Sequence, residues 1–88
     1  MDIKFIRQEN NRFFFEIDKG RLNYVNVNYH NITEGFEFIL STQKDGLNKK
    51  LTENNFYLDV IGKGDFEIDL GINLFSKHKF IKKFSLYL

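Results

Sequence analysis

From Phe56 to Leu88 most of the bulky apolar residues fall on even-numbered positions. Phe56, Leu58 and Val60 are followed by Phe66, Ile68, Leu70, Ile72 and Leu74, then by Phe80, Phe84, Leu86 and Leu88. Successive side chains of a strand point to opposite faces, so a strict period of two is the mark of a half-buried strand. A helix would scatter the same residues around its axis. This third of the chain therefore reads as sheet, with its even-numbered side chains sharing a dry interior.

The composition agrees. There is no Ala, which lowers the helix prior, and eleven Phe stand beside many Ile, Val and Tyr, which raises the strand prior. Phe, Asn, Ile, Lys and Tyr are encoded by AT-rich codons, so the skew also points to an AT-rich host genome. Eighty-eight residues make one domain spanning 1–88, of a size that buries only about 60–65% of the surface its unfolded chain exposes. No repeat and no Pro- or Ser-rich linker divides it.

Upstream, the strands are read at Ile3–Arg7, Arg12–Asp18, Arg21–Tyr29 and Phe36–Ser41, with a polar turn at Gln8–Asn11. Lys19-Gly20 between two β-rich runs signals a tight hairpin. That hairpin sets Ile17 opposite Leu22, Phe15 opposite Tyr24 and Phe14 opposite Val25, leaving both faces apolar. Thr42 to Asn55 is one long polar connection, in which the spacing of Leu47 and Leu51 allows a short helix near residues 43–55. Gly62-Lys63-Gly64 reads as a second hairpin turn, pairing Val60 with Phe66 and Leu58 with Ile68. Ser76-Lys77-His78 reads as a third, pairing Leu74 with Phe80 and Leu70 with Phe84. The competing reading of residues 75–84 is a helix. The expected fold is all-β: a small antiparallel sandwich or half-open barrel of about seven strands.

Few residues offer chemistry. With no cysteine there is no disulfide framework and no thiolate metal site, and a reducing, cytoplasmic setting is expected. The N-terminal segment lacks the apolar core of a signal peptide, and no apolar run approaches the roughly 20 residues that cross a bilayer as a helix. His30 and His78 are isolated at turns, so no metal site is expected, nor any cofactor. Asn31-Ile32-Thr33 matches a glycosylation acceptor, which matters only in a secreted chain. Gly62-Lys63-Gly64 lacks the spacing of a phosphate loop, and Ser41, Ser76 and Ser85 sit in no nucleophile motif. No enzyme activity is expected.

Two surfaces remain. The hairpin reading makes Phe14, Val25, Val27 and Tyr29 an apolar contact. The expected register places Asp59 opposite Glu67 and Asp69 opposite Tyr57, an acidic patch that needs a cationic neighbour. A non-enzymatic protein-binding module follows: an inhibitor, immunity factor or adaptor, of phage or mobile-element origin, binding another protein or a second copy of itself. The alternative is single-stranded nucleic-acid binding. Residues 71–88 carry four Lys and no acid, with aromatics interleaved. Lys77, Lys79, Lys83 and Tyr87 would make that contact.

Overall fold

A computed structural model of the chain describes residues 1–22, 25–42, 46–47, 50–51, 54–73 and 79–88, and the side chains of these except 31, 41–42, 46–47 and 50–51. Seven long strands and two two-residue strands build it: β1 (Asp2–Glu9), β2 (Arg12–Asp18), β3 (Val25–Asn31), β4 (Glu37–Thr42), β5 (Gly46–Leu47), β6 (Lys50–Leu51), β7 (Asn55–Ile61), β8 (Asp65–Asn73) and β9 (Lys79–Tyr87). They form two antiparallel sheets, one of five strands in the order β1-β2-β7-β4-β5 and one of four in the order β6-β3-β8-β9. The architecture is the expected all-β sandwich. Among the described residues there is no helix, and none long and apolar enough to cross a membrane.

The alternation sorts residues as read. Phe56, Leu58, Val60, Phe66, Ile68, Leu70, Ile72 and Phe84 all lie in one core with Ile3, Phe13, Phe15, Ile17, Phe36, Phe38 and Leu40. Aromatic rings knit the two sheets across this core: Phe13 meets Phe66 edge-on at 5.4 Å, and Phe15 meets Phe84 at 5.2 Å.

Neighbour relations differ from the sequence reading at three places. The run from Asp18 to Val25 is an arch between sheets, not a hairpin within one: β2 pairs with β1 and β7, while β3 pairs with β6 and β8. Its corner is held by Gly20 N–H donating to Asp18 Oδ1 at 3.1 Å and Leu22 N–H donating to Lys19 O at 3.2 Å. Gly62-Lys63-Gly64 is likewise an arch, taking the chain from β7 in one sheet to β8 in the other. An arch keeps the dry side dry while exchanging the neighbour, so period-two patterning does not distinguish the two connections. Third, β8 and β9 pair as expected but two residues out of the expected register: Ile68 faces Phe84, Leu70 faces Lys82 and Ile72 faces Phe80. A shift of two preserves parity, which is why inward residues stay inward. Residues 79–87 are strand, against the helix reading; Leu74 and residues 75–78 lie outside the described residues, as does Tyr24. Within 43–55, the described residues are the two-residue strands Gly46–Leu47 and Lys50–Leu51, one in each sheet, then Asn54 and Asn55, the last already in β7.

β1 and β2 are joined by a tighter turn than Gln8–Asn11. Glu9 already faces Arg12, and Asn10 takes φ 53°, a left-handed conformation that Asn tolerates. Further back, a bulge between Phe5 and Arg7 shifts the β1 register. Phe5 faces the inward Phe15, yet Arg7 faces the outward Phe14. The extra residue thus turns Arg7 to the outer surface.

Lys82, the one charge at an inward position of β9, turns to the start of β1. Its Nζ donates to Asp2 Oδ1 at 3.1 Å and to Ile3 O at 2.8 Å. The hydrogen bond from Lys82 holds the Asp2 carboxyl below its ordinary range. A carboxyl lowered in the folded state stabilises the fold above its unfolded pKa, and that contribution is lost as pH falls through the folded value. The Asp2 half of this β1–β9 tether is therefore present at neutral pH and lost in acid, while the bond to Ile3 O does not depend on it. Asp2→Asn should have a lower urea midpoint than the parent at pH 7, and the two midpoints should converge below the usual carboxylate range. A gap independent of pH would rule the tether out.

Candidate functional site: the outer face of the five-stranded sheet

The register of the five-stranded sheet lines up its outward residues in rows. One row runs Arg7, Phe14, Tyr57 and the next Glu9, Arg12, Asp59, Ile39, followed by the pair Ile61 and Glu37. The order follows from alternation in each strand, with the β1 bulge supplying Arg7.

Side chains in these rows hold one another. The Arg7 guanidinium lies 3.9 Å from the centre of the Phe14 ring, and Arg12 lies 4.0 Å from that of Tyr57. Phe14 and Tyr57 are themselves 5.9 Å apart. Arg12 donates two bonds to Asp59, Nε to Oδ1 at 2.7 Å and Nη2 to Oδ2 at 3.0 Å. This fork geometry is what guanidinium offers and ammonium does not. The Asp59 hydrogen bond raises the Arg12 pKa above its ordinary value, so Arg12 carries its charge at any working pH. Arg7 reaches Glu9 at 3.6 Å. Two arginines are thus flattened onto two rings, with a carboxylate beside each. Next to them Ile39 and Ile61 stand 48% and 52% exposed. A shallow groove of about 400 Å³ continues the face past Ile39 and Ile61 to Tyr29 and Phe38. Tyr29 Oη donates to Phe38 O at 3.0 Å, closing the seam between the sheets there.

Of the residues read as partner contacts, Phe14, Tyr57, Asp59 and Tyr29 come together on this continuous surface. The others do not. Val25 and Val27 are 1% and 4% exposed, packed in the core. Their outward placement came from the Lys19-Gly20 hairpin, whose pairing matched even with odd positions; the arch removes that constraint. Glu67 and Asp69 lie on the four-stranded sheet, away from Asp59. The expected acidic patch is therefore split between the two outer faces: Asp59 is paired with Arg12, Glu67 faces Ser85, and Asp69 faces Lys83 and His30.

The second outer face is polar by comparison. Asn26 and Asn28 of β3 lie beside Asn73 and Gly71 of β8, and of the β9 lysines Lys83 lies across from Asp69 while Lys79 lies across from Asn73. Lys83 Nζ is 3.7 Å from Glu67 Oε2. Lys79, Lys83 and Tyr87 do share this face, but acids interrupt the positive strip; Lys77 and His78 lie outside the described residues. At one end of the sandwich a groove of about 500 Å³ is lined by Phe5, Phe66, Leu86, Tyr87, Asp65 and Glu67, among others. Among the described residues no three His, Cys, Asp or Glu converge to hold a metal ion.

Arg7, Arg12, Ile39 and Ile61 were not singled out in the sequence. Arg12, Ile39 and Ile61 share the outward parity of Phe14 and Tyr57 and were legible in principle. Arg7 was not, because nothing in Phe5-Ile6-Arg7 announces a bulge.

Fold and surface define a small antiparallel β-sandwich with one outer face that is polar apart from Ile81 and Tyr87 and one built from stacked guanidinium, aromatic and aliphatic groups. No family model, curated protein or solved structure matches the chain.

Proposed function

We propose that this protein is a small non-enzymatic protein-binding module whose contact surface is the outer face of the five-stranded sheet. The observation that carries the reading is the continuity of Arg7, Phe14, Tyr57, Arg12, Ile39 and Ile61 on that face. Tyr, Phe and Arg are enriched at protein interfaces, where they give large contact area with little rotamer freedom to lose. Stacking and ion pairing hold the arginines before any partner arrives, which lowers the ordering cost of association. Each guanidinium has its own carboxylate, so the face is close to electrically neutral and suits an apolar, hydrogen-bonding partner surface. An inhibitor, immunity factor or adaptor works in this way, and the cysteine-free sequence suits a reducing cytoplasm. The partner is another protein or a second copy.

Ile39→Glu/Ile61→Glu is the test. Both side chains are half-exposed, so the fold should survive, as an unchanged circular-dichroism spectrum and melt would show. Sedimentation velocity and affinity capture from the source cell should find a dimer or a stoichiometric partner for the parent, with binding at least about tenfold weaker in the variant. A parent that stays monomeric and captures nothing, or a variant that associates equally well, would overturn the reading.

A further inference from the structure

The four-stranded sheet ends in β9, which among the described residues has no strand on its far side. Its other side determines which backbone groups are left open. Gly64 N–H donates to Leu88 O at 2.8 Å and Leu88 N–H donates to Gly64 O at 3.0 Å, so this pair exchanges both bonds. In an antiparallel ladder such pairs alternate with pairs that exchange none. The bonded set therefore continues in steps of two through Phe66–Leu86, Ile68–Phe84, Leu70–Lys82 and Ile72–Phe80. The even residues of β9 direct N–H and C=O toward β8. Lys79, Ile81, Lys83, Ser85 and Tyr87 direct theirs to the open edge.

The side chains of these same five residues are exposed. Ile81 and Tyr87, at 61% and 67%, are the most exposed large hydrophobic residues among those described. Lys82 is anchored to Asp2 and Ile3, which pins the strand against β1. Bulges and short length are the usual protection of a sheet edge. β1, the edge of the other sheet, has its bulge; β9 runs nine residues in unbroken register, with no Pro. Its only guards are Lys79 and Lys83, and the strand holds no acid.

Those lysines exclude one occupant and favour another. Two copies of β9 paired over their full length would be centred on Lys83 and set Lys83 against Lys83, which is destabilising. β8 displays the complement on the opposite side, placing Asp69 across from Lys83. We propose that β9 takes up an extended acidic segment of a partner protein as a further antiparallel strand. Its acids would lie opposite Lys79 and Lys83, its apolar side chains opposite Ile81 and Tyr87, and its backbone would bond to the odd residues of β9. The site is separate from the outer face of the five-stranded sheet and does not depend on it.

The capped peptide VTTTETITE, written to that pattern, is the probe. Added to the isotopically labelled protein, it should slow amide exchange at Ile81, Lys83 and Ser85 by about tenfold or more, leaving Phe80, Lys82 and Phe84, already bonded to β8, unchanged. Lys79→Glu/Lys83→Glu should weaken this peptide about tenfold and bind its glutamate-to-lysine counterpart instead. N-methylation on the bonding side of the peptide should abolish binding. Ile39→Glu/Ile61→Glu should bind it as the parent does, so failure of either surface is read independently. Unchanged exchange at the odd residues with millimolar peptide, indifference to the charge swap or to N-methylation, or odd amides already protected in a concentration-dependent way would each overturn the proposal.

Discussion

Phe66→Ala is expected to lower the unfolding free energy by about 3–5 kcal/mol, the range for emptying a buried aromatic site. Phe66 is 2% exposed. Its ring lies 5.0 Å from Phe36, 5.6 Å from Phe38 and 5.4 Å from Phe13. All three partners belong to the opposite side of the sandwich, in or beside strands of the five-stranded sheet, so the cavity would open at the plane where the two sheets meet. Domains of this size hold only about 5–15 kcal/mol in total, and the variant should be partly unfolded near body temperature. Phe66→Leu keeps most of the volume and should cost less than about 1.5 kcal/mol. Phe14→Ala supplies the contrast: an equal truncation on the outer face, where about 0.5–1.5 kcal/mol of ring contact is at stake. Urea midpoints at constant slope measure all three. Should Phe66→Ala prove no worse than Phe14→Ala, the two sheets are not joined through this ring.

The same residues show what a sequence of this kind reveals. Alternation is a statement about one strand and one surface, so it assigned Phe56, Leu58, Phe66, Ile68 and Phe84 to the interior without error. Which strand lies beside which depends on the connections, and a Gly-containing turn serves a hairpin and an arch alike. Lys19-Gly20 and Gly62-Lys63-Gly64 both join strands whose dry sides face each other across the core rather than lying side by side. Once β7 and β8 part company, Asp59 and Glu67 go to opposite outer faces, and Asp59 is free to meet Arg12, which is far away in sequence. Phe14, Tyr57 and Asp59 were legible as outward residues because their parity is internal to β2 and β7. Their common surface was not, because it rests on long-range pairing between those strands and on a bulge in β1.

Gly62→Ala tests the second arch and should be the most damaging exchange at an exposed turn. Gly62 has φ +155°, a conformation L residues rarely adopt, and the space beside it is filled. A Cβ built there would lie 2.6 Å from Phe36 Cε2 and 2.9 Å from Phe36 Cγ, with Cδ2 closer still. The ring has nowhere to retreat, since it packs on Phe66 at 5.0 Å and parallel to Phe38 at 6.4 Å. Backbone strain and overpacking should each contribute about 1–3 kcal/mol. Gly64 separates the two effects: at φ +97° with no atom within 4 Å of a built Cβ, Gly64→Ala should show the strain alone. The decisive measurement is a double-mutant cycle. Phe36→Ala empties the space that the new methyl needs, so Gly62→Ala/Phe36→Ala should lose less stability than the two single losses added together, by about 1–3 kcal/mol. Strict additivity would mean that Phe36 does not lie against the arch, and that the chain crosses from β7 to β8 by another path.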